Sequence, residues 1–241
     1  MVVDQRRFIK TKRIRMNKIG TFEDFRHFAI DKANVSPSAI DDVSKKMVYP
    51  TIIEQRDSAM RINEMNVFSR LIQDRILFLS GEVDSIAMDT MIAQMLYLNS
   101  VDHRDISLYI NSPGGDVLSG LSLIDTMNFI ESEVATTCLG MAASMGAVLL
   151  SCGVKGKRFV LPHSRVMIHS VSSGFKGHTA DIKIEMEQTL RCQKDLYNIL
   201  ANNCEKSYEE IEKLCDRDNW FIGEEAVNEL KIADKVLIKE E

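Results

Sequence analysis

Between residues 75 and 151 the chain repeats one alternation, an apolar run of strand length followed by a segment with helical spacing. "RILFLSG" (75–81) opens it, and in "DSIAMDTMIAQMLYLNS" (84–100) Ile86, Met91, Met95 and Leu98 fall along one side. "DISLYINS" (105–112), "PGGD" (113–116) and "VLSGLSLIDTMNFI" (117–130) make a second cycle. "VATTCL" (134–139), the small-residue stretch "GMAASMGA" (140–147) and "MGAVLLSC" (145–152) make a third. Strands alternating with helices predict α/β units rather than an all-β or all-helical domain. The later strands "KRFVLP" and "SRVMIHS" arrive with little between them, which predicts a second, hairpin-like layer. "VSSGFKGH" reads as extended, and residues 179–203 as one helix roughly 36 Å long. Ile182, Met186, Leu190, Leu196 and Leu200 give that helix an apolar side. It is either a contact arm between subunits or a plain core helix, and the pattern fits both.

Composition narrows the function classes. The 241 residues suit one domain with a full core, or one domain plus an appended segment. A net charge of −5 with 27% charged residues argues against a general nucleic-acid binder. Five cysteines form no C-x-x-C pair, so they read as reduced thiols in a cytoplasmic protein, with no zinc site. No apolar run is long enough to span a membrane, and the start lacks the apolar centre of a secretory signal. Residues 1–18 carry seven Lys/Arg against one acid, which suits a transit peptide or sequence upstream of a start at Met16 as well as the default reading, a solvated basic arm. "TFEDFRHFAIDKA" (21–33) is a short helical candidate, broken by "NVSPSAIDD". Residues 1–48 are therefore expected to be an N-terminal extension or propeptide, and 49–241 the folded domain.

The lone hydroxyl of "GMAASMGA" is Ser144. Small residues there suit tight packing of a helix start on a sheet. They also suit a nucleophile on a strand-to-helix turn, with the next backbone N–H facing the reacting carbonyl. Two features favour the nucleophile. In "NSPGGD" adjacent glycines let a backbone N–H approach a ligand oxygen closely. N–H groups of Gly115 and Met145 would make the two-donor hole that an acyl-transfer oxyanion requires. The second feature is a base. His27 lies in the extension, His103 in the polar loop "SVDHRD", His163 in a turn after Pro162, and His178 at the start of the long helix. His169 instead ends the apolar strand "RVMIH", beside a Gly-bearing segment where a peptide can add as a strand. An acid must orient it. Asp181, Asp195, Asp216, Asp218 and Asp234 all qualify, and spacing does not choose among them.

"YINSPGGDVLSGLSLIDTMNFI", "CLGMAASMGAVLLSCGVKGKRFVLPHSRVMIH" and "DRDNWFIGEEAV" together resemble the Clp protease proteolytic subunit family, ClpP, over about residues 49–238. The resemblance implies a ClpP/crotonase-like ββα superhelix with a projecting long handle helix. It implies an ATP-dependent serine endopeptidase with Ser144 as nucleophile, His169 as base and Asp218 as acid. Gly115 and Met145 are then the oxyanion donors, and Gly174 belongs to the segment that pairs with the substrate strand. Tyr109, Phe129, Leu139, Phe159 and Leu161 match positions lining apolar clefts where unfoldase loops insert. The implied assembly is a homo-oligomer of two stacked heptameric rings, joined through the handle and fed by a ClpX-, ClpA- or ClpC-type unfoldase. Asp216 and Arg217 sit where the family couples the rings to the active site. Protein and peptide substrates are implied, with no cofactor, metal, nucleic acid or membrane. One departure stands out: after the histidine the family commonly has Gln-Pro and then Gly-Gly, whereas this chain has Ser170-Val171-Ser172-Ser173-Gly174. Three other readings compete. An acyl-CoA enzyme would use the same backbone hole without a triad, and a non-catalytic barrel subunit should have lost a triad residue. A serine–lysine peptidase using Lys155 or Lys157 would leave His169 without a role.

Overall fold

One long strand organises the chain. The computed structural model describes residues 51–55 and 62–239, so the readings of residues 1–48 lie outside the described residues. Strands β1 (Thr51–Gln55) and β2 (Ile62–Asn66) form an antiparallel pair. Asn66 then caps a short helix, α1 (Val67–Gln73), its side chain accepting from the Ser69 N–H. The alternation predicted from the sequence follows: β3 (Ile76–Ser80), α2 (Ser85–Val101), β4 (Ile106–Ser112), α3 (Val117–Phe129) and β5 (Val134–Ala143). Asp84 and Asp116 start α2 and α3 by accepting backbone N–H groups at 2.7 Å, the usual role of a short acid at an N-cap. Helix α4 (Met145–Ser151) begins directly on the last residue of β5's turn, with no side-chain cap.

β3, β4 and β5 run parallel in register, with Leu77, Leu108 and Thr136 on the covered face. Beyond them β5, ten residues long, serves two partners. Its first half pairs with β6 (Arg158–Val160) and its second half with β7 (Arg165–Ile168), both parallel. The hairpin expected from "KRFVLP" and "SRVMIHS" is therefore absent: β6 and β7 lie end to end along β5 and do not pair with each other. The turn between them explains why. Ser164 Oγ donates to the Cys138 carbonyl at 2.8 Å, and the Leu161 N–H donates to the same carbonyl at 3.2 Å. Those bonds hold the turn against β5 and send the chain onward along that strand. The antiparallel partner of β7 is β8 (Asn219–Ile222).

The long helix, α5, runs Thr179–Cys204, about 39 Å at 1.5 Å per residue. The core-helix reading holds for its second half, while the first half leaves apolar side chains exposed. Cys192, Leu196, Tyr197, Leu200 and Cys204 are buried, while Ile184, Met186 and Leu190 are 67%, 52% and 53% exposed. Helix α6 (Tyr208–Leu214) is started by a Ser207–Glu210 capping box, and α7 (Glu224–Asn228) and β9 (Lys235–Val236) complete the sheet edge beside β6.

A largely buried ion pair fastens that edge. The Arg158 guanidinium, 5% exposed, meets the Asp234 carboxylate at 2.6 and 3.0 Å and donates to the Asn203 carbonyl near the end of α5. Asp234 also accepts the N–H groups of Gly156 and Arg158. Burial alone would raise the Asp234 carboxyl, but these hydrogen bonds and the Arg158 charge outweigh it and hold it below the usual carboxylate range. Asp234→Asn should therefore destabilise the fold by about 3–5 kcal/mol at neutral pH. A depressed carboxyl stabilises above its unfolded pKa and loses that contribution as pH falls through the folded value. The gap in unfolding temperature between wild type and Asp234→Asn should thus narrow below about pH 4, as thermal melts across pH would show.

Candidate active site

The fork along β5 brings two strand ends together. Ser144 stands at the end of β5 with φ 54° and ψ −123°, a sparsely populated conformation for a non-glycine residue. Its N–H donates to the Met167 carbonyl of β7 at 2.8 Å, and β7 delivers His169 two residues later. His169 Nε2 lies 2.8 Å from Ser144 Oγ, and its Nδ1 lies 3.3 Å from Asp218 Oδ1. The serine turn needs small neighbours. A Cβ on Gly114 would meet Ser144 Cβ and the Ala143 carbonyl at 2.7 Å, and one on Gly146 would meet the Ser112 carbonyl at 3.1 Å. The composition of "GMAASMGA" is thus accounted for by packing and site together.

The glycine turn supplies a second donor. Gly115, at φ 151°, bridges Val83: the Val83 N–H donates to the Gly114 carbonyl at 2.8 Å and the Asp116 N–H to the Val83 carbonyl at 2.7 Å. That pattern leaves Gly115's own N–H facing away from Val83. Met145 is the first residue of α4, where a backbone N–H has no acceptor within its helix. Among the described residues neither N–H is hydrogen-bonded, and both residues line the cleft that holds Ser144 and His169. Two such donors beside a hydrogen-bonded serine and histidine suit an oxyanion formed by attack on a carbonyl.

The remaining candidates fall elsewhere. Asp234 is taken up by Arg158, and Asp181 and Asp195 lie on exposed positions of α5. Asp216 is exposed in the same loop as Asp218, and only Asp218 is bonded to the imidazole. His103 meets Asn99 and Glu131, and His178 is the N-cap of α5. Lys155 pairs with Glu205, and Lys157 with Asp105 and Glu133, so neither serves Ser144. Burial pushes the Cys138 and Cys152 thiols up to about 11 and Cys204 and Cys215 to about 12, leaving them protonated and poor nucleophiles at neutral pH.

Gly174 lies in the irregular segment after His169, where an added Cβ would meet nothing within 4 Å. Tyr109, Leu139, Phe159 and Leu161 are half-buried. Tyr109 and Phe159 lie in one cross-strand row, on either side of Thr137. The Tyr109 ring stacks on Phe78 with centroids 5.3 Å apart. Phe129, 62% exposed, is the last residue of α3, on a different element. The sequence reading missed the apolar wall of the cleft, formed by Val117, Val148, Ile168, Leu196, Tyr197 and Leu200. Leu196 and Leu200 were visible as the apolar side of a helix, but nothing in their spacing says that this side faces the serine.

Comparisons with known proteins identify the family. The Clp protease family model matches residues 58–240. Proteins named ATP-dependent Clp protease proteolytic subunit, from Bacteroides fragilis and Bacteroides thetaiotaomicron, are each 46% identical over 221 residues, 90% of this chain and 99% of theirs. One of the same name from Porphyromonas gingivalis is 44% identical over 220 residues, 90% of this chain and 98% of its own. Because residues 49–241 amount to only about four-fifths of the chain, a match over 90% of it runs into the segment before Tyr49.

A serine held this way should react with electrophiles that mimic an acyl centre. A fluorophosphonate is expected to add once to the intact chain, at Ser144, and His169→Ala should slow that labelling by about 10²–10⁴-fold, the contribution of a positioned general base. Time-resolved intact mass and peptide mapping of both variants check it.

Proposed function

The chain belongs to the Clp protease family, and on that premise we propose that it is a serine endopeptidase whose triad is Ser144, His169 and Asp218. The observation that carries the reading is the 2.8 Å contact between His169 Nε2 and Ser144 Oγ, beside two unspent backbone N–H groups. His169 takes the Ser144 proton as Oγ attacks the scissile carbonyl, and the developing oxyanion is bound by the Gly115 and Met145 N–H groups. The tetrahedral intermediate collapses, the C–N bond breaks, and His169 passes its proton to the leaving amine. Water then attacks the acyl-enzyme by the same route in reverse and releases a carboxylic acid. Asp218 holds the imidazole in the tautomer that has a free Nε2 lone pair. The wall of Val117, Val148, Leu196 and Leu200 suits an apolar side chain next to the cleaved bond.

The relatives' name speaks of ATP dependence. We carry this to the present chain as a proteolytic subunit that takes unfolded polypeptide from an ATP-driven unfoldase of the ClpX, ClpA or ClpC type, within two stacked heptameric rings. The bare half of α5 supports a contact between copies, and the aromatic row around Tyr109 and Phe159 supports a docking surface for apolar unfoldase loops. The five free thiols suit a reducing, cytoplasmic setting. Among the described residues no helix is long and apolar enough to cross a membrane.

Ser144→Ala should abolish hydrolysis of a short fluorogenic peptide while leaving assembly unchanged, and Asp218→Asn should lower kcat by up to about 10⁴, the figure for the serine-protease template. Steady-state kinetics with sedimentation of each variant test this, and near-normal rates in both would remove the reading. The partner side gives a separate expectation. Short peptides should be cut without ATP, and a stable folded protein only when an unfoldase and ATP are added. Tyr109→Ser or Phe159→Ser should reduce the ATP-driven rate several-fold more than the peptide rate. Equal loss of both would make those side chains packing residues.

A further inference from the structure

We propose that Asn219 is a positioning residue for the acid of the site, acting through Asp218 without touching the reacting atoms. The proposal rests on the reading of Ser144, His169 and Asp218 as a peptidase triad.

Asp218 needs a constraint from outside its own side chain. Its carboxylate is 65% exposed, and among the described residues its only partner is the His169 imidazole at 3.3 Å. It sits in the connection between the end of α6 at Leu214 and the start of β8 at Asn219. Cys215, fully buried, pins the entrance of that loop, while Asp216 and Arg217 face solvent. An exposed carboxylate on an exposed loop has many water-facing rotamers available, so the direction in which the loop backbone presents it matters.

Asn219 holds that loop from both sides. Its backbone pairs with Ile168 in the β7–β8 register, one residue before His169. Its Nδ2 donates to the Leu214 carbonyl at 3.2 Å, five residues back. Carbonyls at a helix C-terminus lack donors within their helix, so the amide satisfies an orphan acceptor and closes the loop at its base in one bond. The entrance of the acid's loop is thereby tied to the strand that delivers the imidazole. The residue type fits the task. A serine hydroxyl is too short to span the gap, and an aspartate would offer an acceptor to an acceptor while adding a second negative charge beside Asp218.

The test is a double-mutant cycle on the assembled full-length enzyme, with kcat and KM for a short fluorogenic peptide measured for Asn219→Ala and Asn219→Ser. Each is made alone and on top of Asp218→Asn. In the native background both should lower kcat by about 10- to 100-fold, the usual cost of small misplacement in a catalytic constellation, with KM within about twofold. On top of Asp218→Asn neither should lower kcat further, because the group that Asn219 positions is already disabled. Equal losses in the two backgrounds, an unchanged kcat, or an effect confined to KM would overturn the proposal. If Asn219→Ala does not fold, Asn219→Ser decides alone. A wild-type rate in Asp218→Asn by itself is a different result: it removes the triad reading, and this proposal with it.

Discussion

The hydrogen bond from the Ser144 N–H to the Met167 carbonyl is the tie on which the site depends. It joins the end of β5 to the end of β7 where one strand turns into a helix and the other is about to present an imidazole. To make it, the serine adopts φ 54°, a conformation that costs on the order of 1–3 kcal/mol and persists only where the surroundings fix it. The surroundings here include Gly114 and Gly146, which let the segment at 112–114 close against the turn. Strain, small residues and reactive group are one feature seen at three scales.

β5 determines where those two strand ends meet. A strand of ten residues is long enough to pair with β6 along its first half and β7 along its second. Had β6 and β7 folded into a hairpin, His169 would have been carried away from the end of β5. Ser164 Oγ and the Leu161 N–H both bond the Cys138 carbonyl and hold the turn against β5, where β7 goes on to pair with that strand and bring His169 to its end.

Much of this was legible in the chain, and the failures have physical reasons. The alternating runs from "RILFLSG" to "MGAVLLSC" fold as the strands and helices that their order predicts, because apolar runs of strand length are separated by turn residues from apolar segments long enough for helices. The relation between β6 and β7 was not legible, since a short strand pairing locally and one pairing with a distant strand carry the same pattern. The acid shows the same limit. Asp218 and Asp234 look alike in sequence, and only the fold reveals that Arg158 engages one while His169 meets the other. The cleft wall escaped because α5 packs Leu196 and Leu200 beside the serine, and helical spacing gives a face but not its neighbour.

Helix α5 divides into a half held by the core and a half with Ile184, Met186 and Leu190 bare to water. A helical stretch of about a dozen residues whose apolar side chains are mostly exposed is marginal by itself in water. On the proposed contact between copies, its order is then not a fixed property of the chain but a function of how many other chains are present. In dilute solution that half should fray, and at higher concentration mass action should draw it into register against a neighbour. The amount of protein in a volume becomes, through one bare helical surface, a variable of the structure itself.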